Sequence, residues 1–241
     1  MKKVYLFSCV VLLLFSSCTR YYYAPNMHNV TLFREKGEAR LSGGVSAGNE
    51  ISSYEVQAAY SLTNHIGVMA NYFNARSEDG PNNGRGHQTE VAVGYFSPLK
   101  RKEFIFELYG GYGRGKVINN YDPDEYSELG LDKLFLQPSI GYTVKDYFDV
   151  AVSSRIGYVN YSSLMSIGAT SSALSDINYI RDHRQSVMLE PALTLRGGWK
   201  YIKLQLQAGY SFNMSHADFK QEKANYAISA YFSFAKRFRK K

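Results

Sequence analysis

The chain has 241 residues, with 28 Lys and Arg against 21 Asp and Glu, a net charge of +7 and a mean hydropathy of −0.31. That length allows one large all-β domain or two small ones. The negative hydropathy excludes a bundle of transmembrane helices but not a membrane barrel, in which every second residue is polar. Aromatics make up 15%, with 21 Tyr against 14 Phe, a balance suited to a tyrosine-rich binding surface or to the aromatic girdles of a membrane protein.

Residues 1–17 read as a targeting signal. Lys2 and Lys3 precede an apolar run from Val4 to Phe15 that is too short to span a bilayer as a helix. The run ends in "LFSSC", where the small residues Ser16 and Ser17 before Cys18 match a bacterial lipobox, with Phe15 where an aliphatic residue is usual. Cleavage there would make Cys18 the lipidated first residue and carry away Cys9. The mature chain would keep one cysteine, no internal disulfide and a net charge of +5.

The next stretch, 18–37, is expected as a periplasmic segment, with a barrel domain over 38–241. A weak strand near Ala39–Ala47 comes first, followed by period-two segments at Tyr54–Leu62, Ile66–Tyr72, Thr89–Tyr95, Phe104–Tyr112, Leu134–Val144, Phe148–Tyr158, Val187–Trp199, Ile202–Phe212 and Tyr226–Phe234. About ten strands result, eight and twelve being the alternatives. The connections alternate: "LTNH", "SPLKRK", "TVKDY" and "GWKY" are short, while "ARSEDGPNNGRGH", "NNYDPDEYSELGLD", Ser162–Gln185 and "SHADFKQE" are long and polar. This predicts an all-β, antiparallel up-and-down transmembrane β-barrel in the outer membrane, with its turns in the periplasm and its loops outside.

The two strand faces differ in chemistry. One is apolar, with Tyr60, Tyr72, Tyr95, Phe104, Tyr142, Phe148, Tyr158, Trp199, Phe212 and Phe234 near strand ends, as interfacial girdles require. The other is mostly Gly, Ser, Ala, Gln and Asn. Its ionised residues are Arg40, Glu55, Glu90, Glu107, Arg155, Glu190, Arg196 and Lys203, a mixture that predicts a narrow, self-neutralising interior filled by side chains. Pro138 and Pro191 interrupt central strands, so a bulge or bend is expected at each, beside the inward Gln137 and Glu190.

Other motifs carry little. "GGYGRGKV" has P-loop-like spacing, but Val117 stands where a hydroxyl is needed and the segment continues a strand with Gly111, Gly113 and Gly115 inward. His87, His183 and His216 fall near the long loops, and Asp182, His183, Ser186 and Glu190 permit a hydrolase at the membrane rim only as a minor alternative. No histidine pair has metal-ligand spacing, and no motif calls for a cofactor. Basic residues gather in "KRK" and "AKRFRKK" on the turn side and acidic ones, Glu78, Asp79, Asp122, Asp124, Glu125 and Glu128, in the loops. Outer-membrane phospholipid headgroups, and not nucleic acid, are the partners this implies.

The segments "CTRYYYAPNMHNVTLFREKGEARLSG" and "EVQAAYSLTNHIGVMANYF" carry a resemblance to a family of small, uncharacterised outer-membrane β-barrel lipoproteins of Gram-negative bacteria. The resemblance covers most of the mature chain. It implies acylation (palmitate among the acyl groups) at Cys18 and a barrel domain, and brings no activity. No acidic residue directly follows Cys18, which favours an anchor facing the periplasm. The functional expectation is a non-enzymatic protein, structural or binding through its outer loops. A narrow channel for small solutes is the alternative.

Overall fold

The computed structural model describes residues 21–79, 82–101, 103–122, 124–168 and 171–238; the signal, Cys18 and the last three residues lie outside it. The ten strands are β1 (Ala39–Ala47), β2 (Ile51–Ser61), β3 (Ile66–Asp79), β4 (Asn82–Pro98), β5 (Phe104–Asp122), β6 (Glu125–Val144), β7 (Phe148–Ile167), β8 (Gln185–Gly198), β9 (Ile202–Tyr210) and β10 (Ala224–Phe234). After a break at Ser211, Phe212–Asn213 continues β9 against β8. A helix, α1 (Ser171–Asp182), lies between β7 and β8. Each strand pairs antiparallel with its sequence neighbour, and β1 pairs with β10 from Ala39–Phe234 to Ala47–Tyr226, so the sheet is a closed barrel without edges.

Alternation sets the two surfaces. Leu134 is 57% exposed, Val91 and Val93 56%, and Leu204 53%, while Arg155 and Lys133 one strand face away are wholly buried. Large aliphatics outside and ions inside invert the arrangement of a soluble sandwich. A continuous apolar band of this kind is stable only against hydrocarbon. Tyr60, Tyr95, Tyr142, Phe234 and Trp199 are exposed near strand ends, where aromatic rings, those with a polar tip above all, meet the headgroup level.

The expected long polar loops are partly strand. β5 has 19 residues and β6 and β7 have 20 each, so these strands extend well beyond the roughly 9–11 residues a tilted strand needs to cross a bilayer. At the opposite end short turns remain, around residues 62–65, 99–103, 145–147 and 199–201, beside the start of β1 and the end of β10. The two rims are thus a turn end and a loop end. The "GGYGRGKV" segment lies wholly within β5, and Phe135 fills the space over Gly111, where any Cβ would collide with its ring.

Of the two irregularities expected at the prolines, neither site has the bulge. Pairing of β6 with β7 has the same register before and after Gln137–Pro138, and Pro191 stands opposite Ser154 in an unshifted β7–β8 ladder. Register shifts occur instead at Gly130/Leu131 and Asn120/Asp122. The prolines leave gaps without extra residues: no β6–β7 pair forms at Gln137 and Pro138, and none joins Glu190 and Pro191 to β9.

Candidate functional site: the occluded lumen

Of the segment expected in the periplasm, residues 22–33 lie inside the barrel. Tyr22, Tyr23, Asn26–Thr31 and Phe33 are all buried. At the loop end the Tyr22 N–H donates to the Lys220 carbonyl (3.0 Å) and Tyr23 forms a parallel bridge with Gln221. At the turn end the Gly37 N–H donates to the Ser61 carbonyl (2.9 Å), and Gly37, at φ 83°, turns the chain into β1. Residues 22–33, at roughly 3.3 Å each, reach about 40 Å, more than the ~30 Å hydrocarbon thickness. The segment is therefore long enough to run the whole way through.

An extended chain with no sheet partner must have its peptide groups answered by side chains. Here six carbonyls receive donors from six different strands. Pro25 accepts from Asn225 (2.8 Å), Met27 from Gln57 (3.0 Å), His28 from Gln207 (3.0 Å), Asn29 from Gln137 (3.0 Å), Val30 from Arg196 (2.5 Å) and Thr31 from Arg40 (3.1 Å). The amide of Gln207 also accepts the His28 N–H at 2.7 Å, so one side chain copies both halves of a sheet pair. The Met27 N–H donates to both Glu55 oxygens (2.8 and 3.0 Å), and the N–H groups of Thr31 and Phe33 to Glu107 (3.2 and 3.3 Å). This explains an interior rich in Gln and Asn.

All eight ionisable residues singled out in the sequence lie on the interior face and are buried. They do not form one mutually neutralising set. Glu90 and Glu190 share Lys133 (3.5 and 3.4 Å) and Arg155 (3.7 and 3.9 Å) at mid-barrel. Tyr23 joins this cluster, donating to Glu190 (2.6 Å) and accepting from Lys133 (2.8 Å). Nearer the turn end, Lys203 pairs with Asp149 (2.7 Å) and Arg40 with Glu38, and Arg196 lies over the Tyr231 ring at 3.9 Å. Glu55 and Glu107 hold the threaded backbone instead of a cation. The residues missed were Lys133, Asp149 and Glu38; the first two sit at inward positions of β6 and β7, where strand parity alone marks them.

Two of these contacts lie at the gaps in the ladder. Arg155 on β7 donates to Gln137 on β6 (2.9 and 3.2 Å), beside the missing pairs at Pro138. The Ser211 hydroxyl donates to Glu190 on β8 (3.3 Å), beside the missing pairs at Pro191.

Both ends are sealed. At the loop end Tyr22 stacks on Tyr179 of α1 (5.2 Å between centroids) and packs on Phe219, with Ile177, Ile180, Leu129 and Tyr161 completing an apolar cluster. Beside it a cavity of about 70 Å³ remains between Tyr21–Ala24 and a wall of small residues, Ala75, Gly84 and Gly86, with Phe73, Gln88 and Asn119. At the turn end Arg34 and Arg237 bind Asp146 (3.4 and 3.1 Å). Burial pushes the Asp146 carboxyl up, but the hydrogen bond and charge of Arg237, with that of Arg34, outweigh it and hold it below the usual range.

Close packing of thread against wall is testable at Gly141, where a Cβ would occupy the space of the Leu32 methyls and stand 3.2 Å from the Ala151 Cβ. Gly141→Val is expected to lower stability by about 1–3 kcal/mol, the usual cost of overpacking, read as a lower urea midpoint in detergent.

The hydrolase residues are not assembled. Glu190 is in the mid-barrel cluster, Ser186 accepts from Asn213 (3.0 Å), and His183 stacks on Tyr179 (4.3 Å) at the end of α1. Among the described residues no group of side chains is arranged to hold a metal.

The geometry defines a membrane-spanning β-barrel stoppered by its own amino-terminal segment. No protein-family model matches the chain, and no curated protein does. Solved structures similar in fold include the translocator domain of the autotransporter NalP from Neisseria meningitidis (12% identity over 83% of this chain and 86% of that one, TM-score 0.45). Others are the outer-membrane protease OmpT from Escherichia coli (7%, 83% and 94%, 0.44) and the KdgM porin (14%, 81% and 99%, 0.39).

Proposed function

We propose that the chain is a lipoprotein of the Gram-negative outer membrane, acylated at Cys18, whose closed barrel serves a non-enzymatic structural or binding role through its loop end. The lipobox-like "LFSSC" supports the acylation, and the apolar belt with short turns at one rim and tall hairpins at the other supports the membrane assignment. The observation that carries the reading is the filled lumen. A solute would have to displace a segment bonded to six strands. Any ligand is therefore expected at the loop end, where the Tyr21–Ala24 cavity lies.

Planar-bilayer recording tests the reading. Purified full-length protein is expected to give no steady current, and sustained single-channel steps would overturn the closed barrel in favour of the solute channel. Replacing Cys18 with Ser is expected to abolish fatty-acid labelling of the chain.

A further inference from the structure

We infer that the threaded segment carries the mature amino terminus through the barrel to the loop end, so that the lipid on Cys18 anchors in the outer leaflet and not in the periplasmic one. The inference rests on the acylation proposed above, and the direction of the thread is what it adds. Counted backwards from β1, the chain leaves the turn end at Gly37, passes Glu107, Glu55 and the Glu90–Glu190 cluster in turn, and reaches the loop end at Tyr22, bonded to the Lys220 carbonyl and stacked on α1. Cys18 lies three positions before Tyr21, at most about 11 Å of extended chain. The opposite leaflet is a hydrocarbon thickness of roughly 30 Å away, so that length cannot return acyl chains to it.

The rim offers an exit. β1 and β2 span 9 and 11 residues about the Gly48–Glu50 turn, as short as β9 and β10 beside them, while β5 and β6 continue for 19 and 20, so the wall is low at the first hairpin. Tyr21 lines the outer cavity together with Ile51, the first residue of β2, beside that low point. Acyl chains on a residue just upstream can cross the rim there and enter the leaflet next to it. Short turns of outer-membrane barrels face the periplasm, which puts Asn64 on that side, and the even strand number puts both ends of the barrel there too. The absence of acidic residues after Cys18, which in the sequence favours the periplasmic side, is thus outweighed by the path of the chain.

The test uses the full-length chain with Cys18 retained and one thiol added, in intact cells treated with a membrane-impermeant maleimide. Cys18 does not react when it is held as a thioether, which the parent chain checks, and fatty-acid labelling is read from the same samples. Thr19→Cys is expected to react on intact cells as fully as Asp124→Cys at the loop end, while Asn64→Cys reacts only after the outer membrane is permeabilised. A lipidated Thr19→Cys chain that waits for permeabilisation alongside Asn64→Cys overturns the threading and leaves the acylation standing. A parent chain without fatty acid, reacting through Cys18 itself, overturns the acylation and with it the outer-leaflet anchor.

Discussion

Arg155→Met is expected to cost about 3–5 kcal/mol, the largest single-residue effect in the molecule, because it strands buried charge. The guanidinium stands 3.7 Å from Glu90 and 3.9 Å from Glu190, donates to Asn26 at 2.7 Å on the thread, and binds Gln137 on the next strand. Lys133 alone would then face both carboxylates. The measurement is the urea midpoint of the folded barrel in detergent or lipid vesicles, followed by the gel-mobility difference between folded and unfolded forms. Adding Glu90→Gln to Arg155→Met should recover part of the loss by restoring the balance of charge. An unchanged midpoint for the single variant would show that the cluster is hydrated and contributes little.

The second large effect concerns the thread. Deleting residues 22–33 is expected to convert a silent barrel into one with steady single-channel currents, since the groups lining the lumen would face water in place of peptide. Glu55 and Glu107 would lose the N–H donors of Met27, Thr31 and Phe33. Each buried group left unanswered costs about 1–3 kcal/mol, less where water can reach it, so the deleted barrel should also unfold at lower urea. A milder pair, Gln57→Ala with Gln207→Ala, removes three bonds to the thread while leaving every charge in place, and should produce brief openings only. If the deletion remains silent, the wall side chains close the lumen by themselves.

Most of the wall was legible from parity. A residue such as Leu204 between Lys203 and Gln205 has only two places to go, and the ladder shows that it faces out while its neighbours face in. The strand ends were less visible, because beyond the bilayer both faces of a hairpin are polar: Gly84, Arg85 and Gly86 pair regularly with β5 but show no alternation of hydropathy. α1 was hidden for a related reason. "SSALSDINYIRD" is rich in Ser, Asn and Asp, residues that favour turns and caps in isolation, and it is held as helix by packing Ile177 and Ile180 on Tyr22.

The thread itself escaped because its surroundings have no sides. Met27, His28 and Asn29 are enclosed by wall in every direction, so no periodic signal marks an inner and an outer face. What the sequence did contain was the complementary half of the contact. Gln57, Gln137, Gln207 and Asn225 are neutral amides at inward positions, each able to donate and accept, and such groups suit a backbone better than they suit a lumen full of salt or water. The inward carboxylates were equally visible, but sequence could not distinguish Glu90, which meets cations, from Glu55, which meets an N–H.

The two prolines give the central cluster a mechanical duty in addition to its electrostatic one. Where Pro138 and Pro191 deprive the wall of backbone bonds, Arg155 reaches across the first seam to Gln137 and Glu190 ties the second to Ser211. The same few side chains therefore rivet neighbouring staves together at the one level where the hoop is weakest. Damage to that knot loosens the cork and the cask at once.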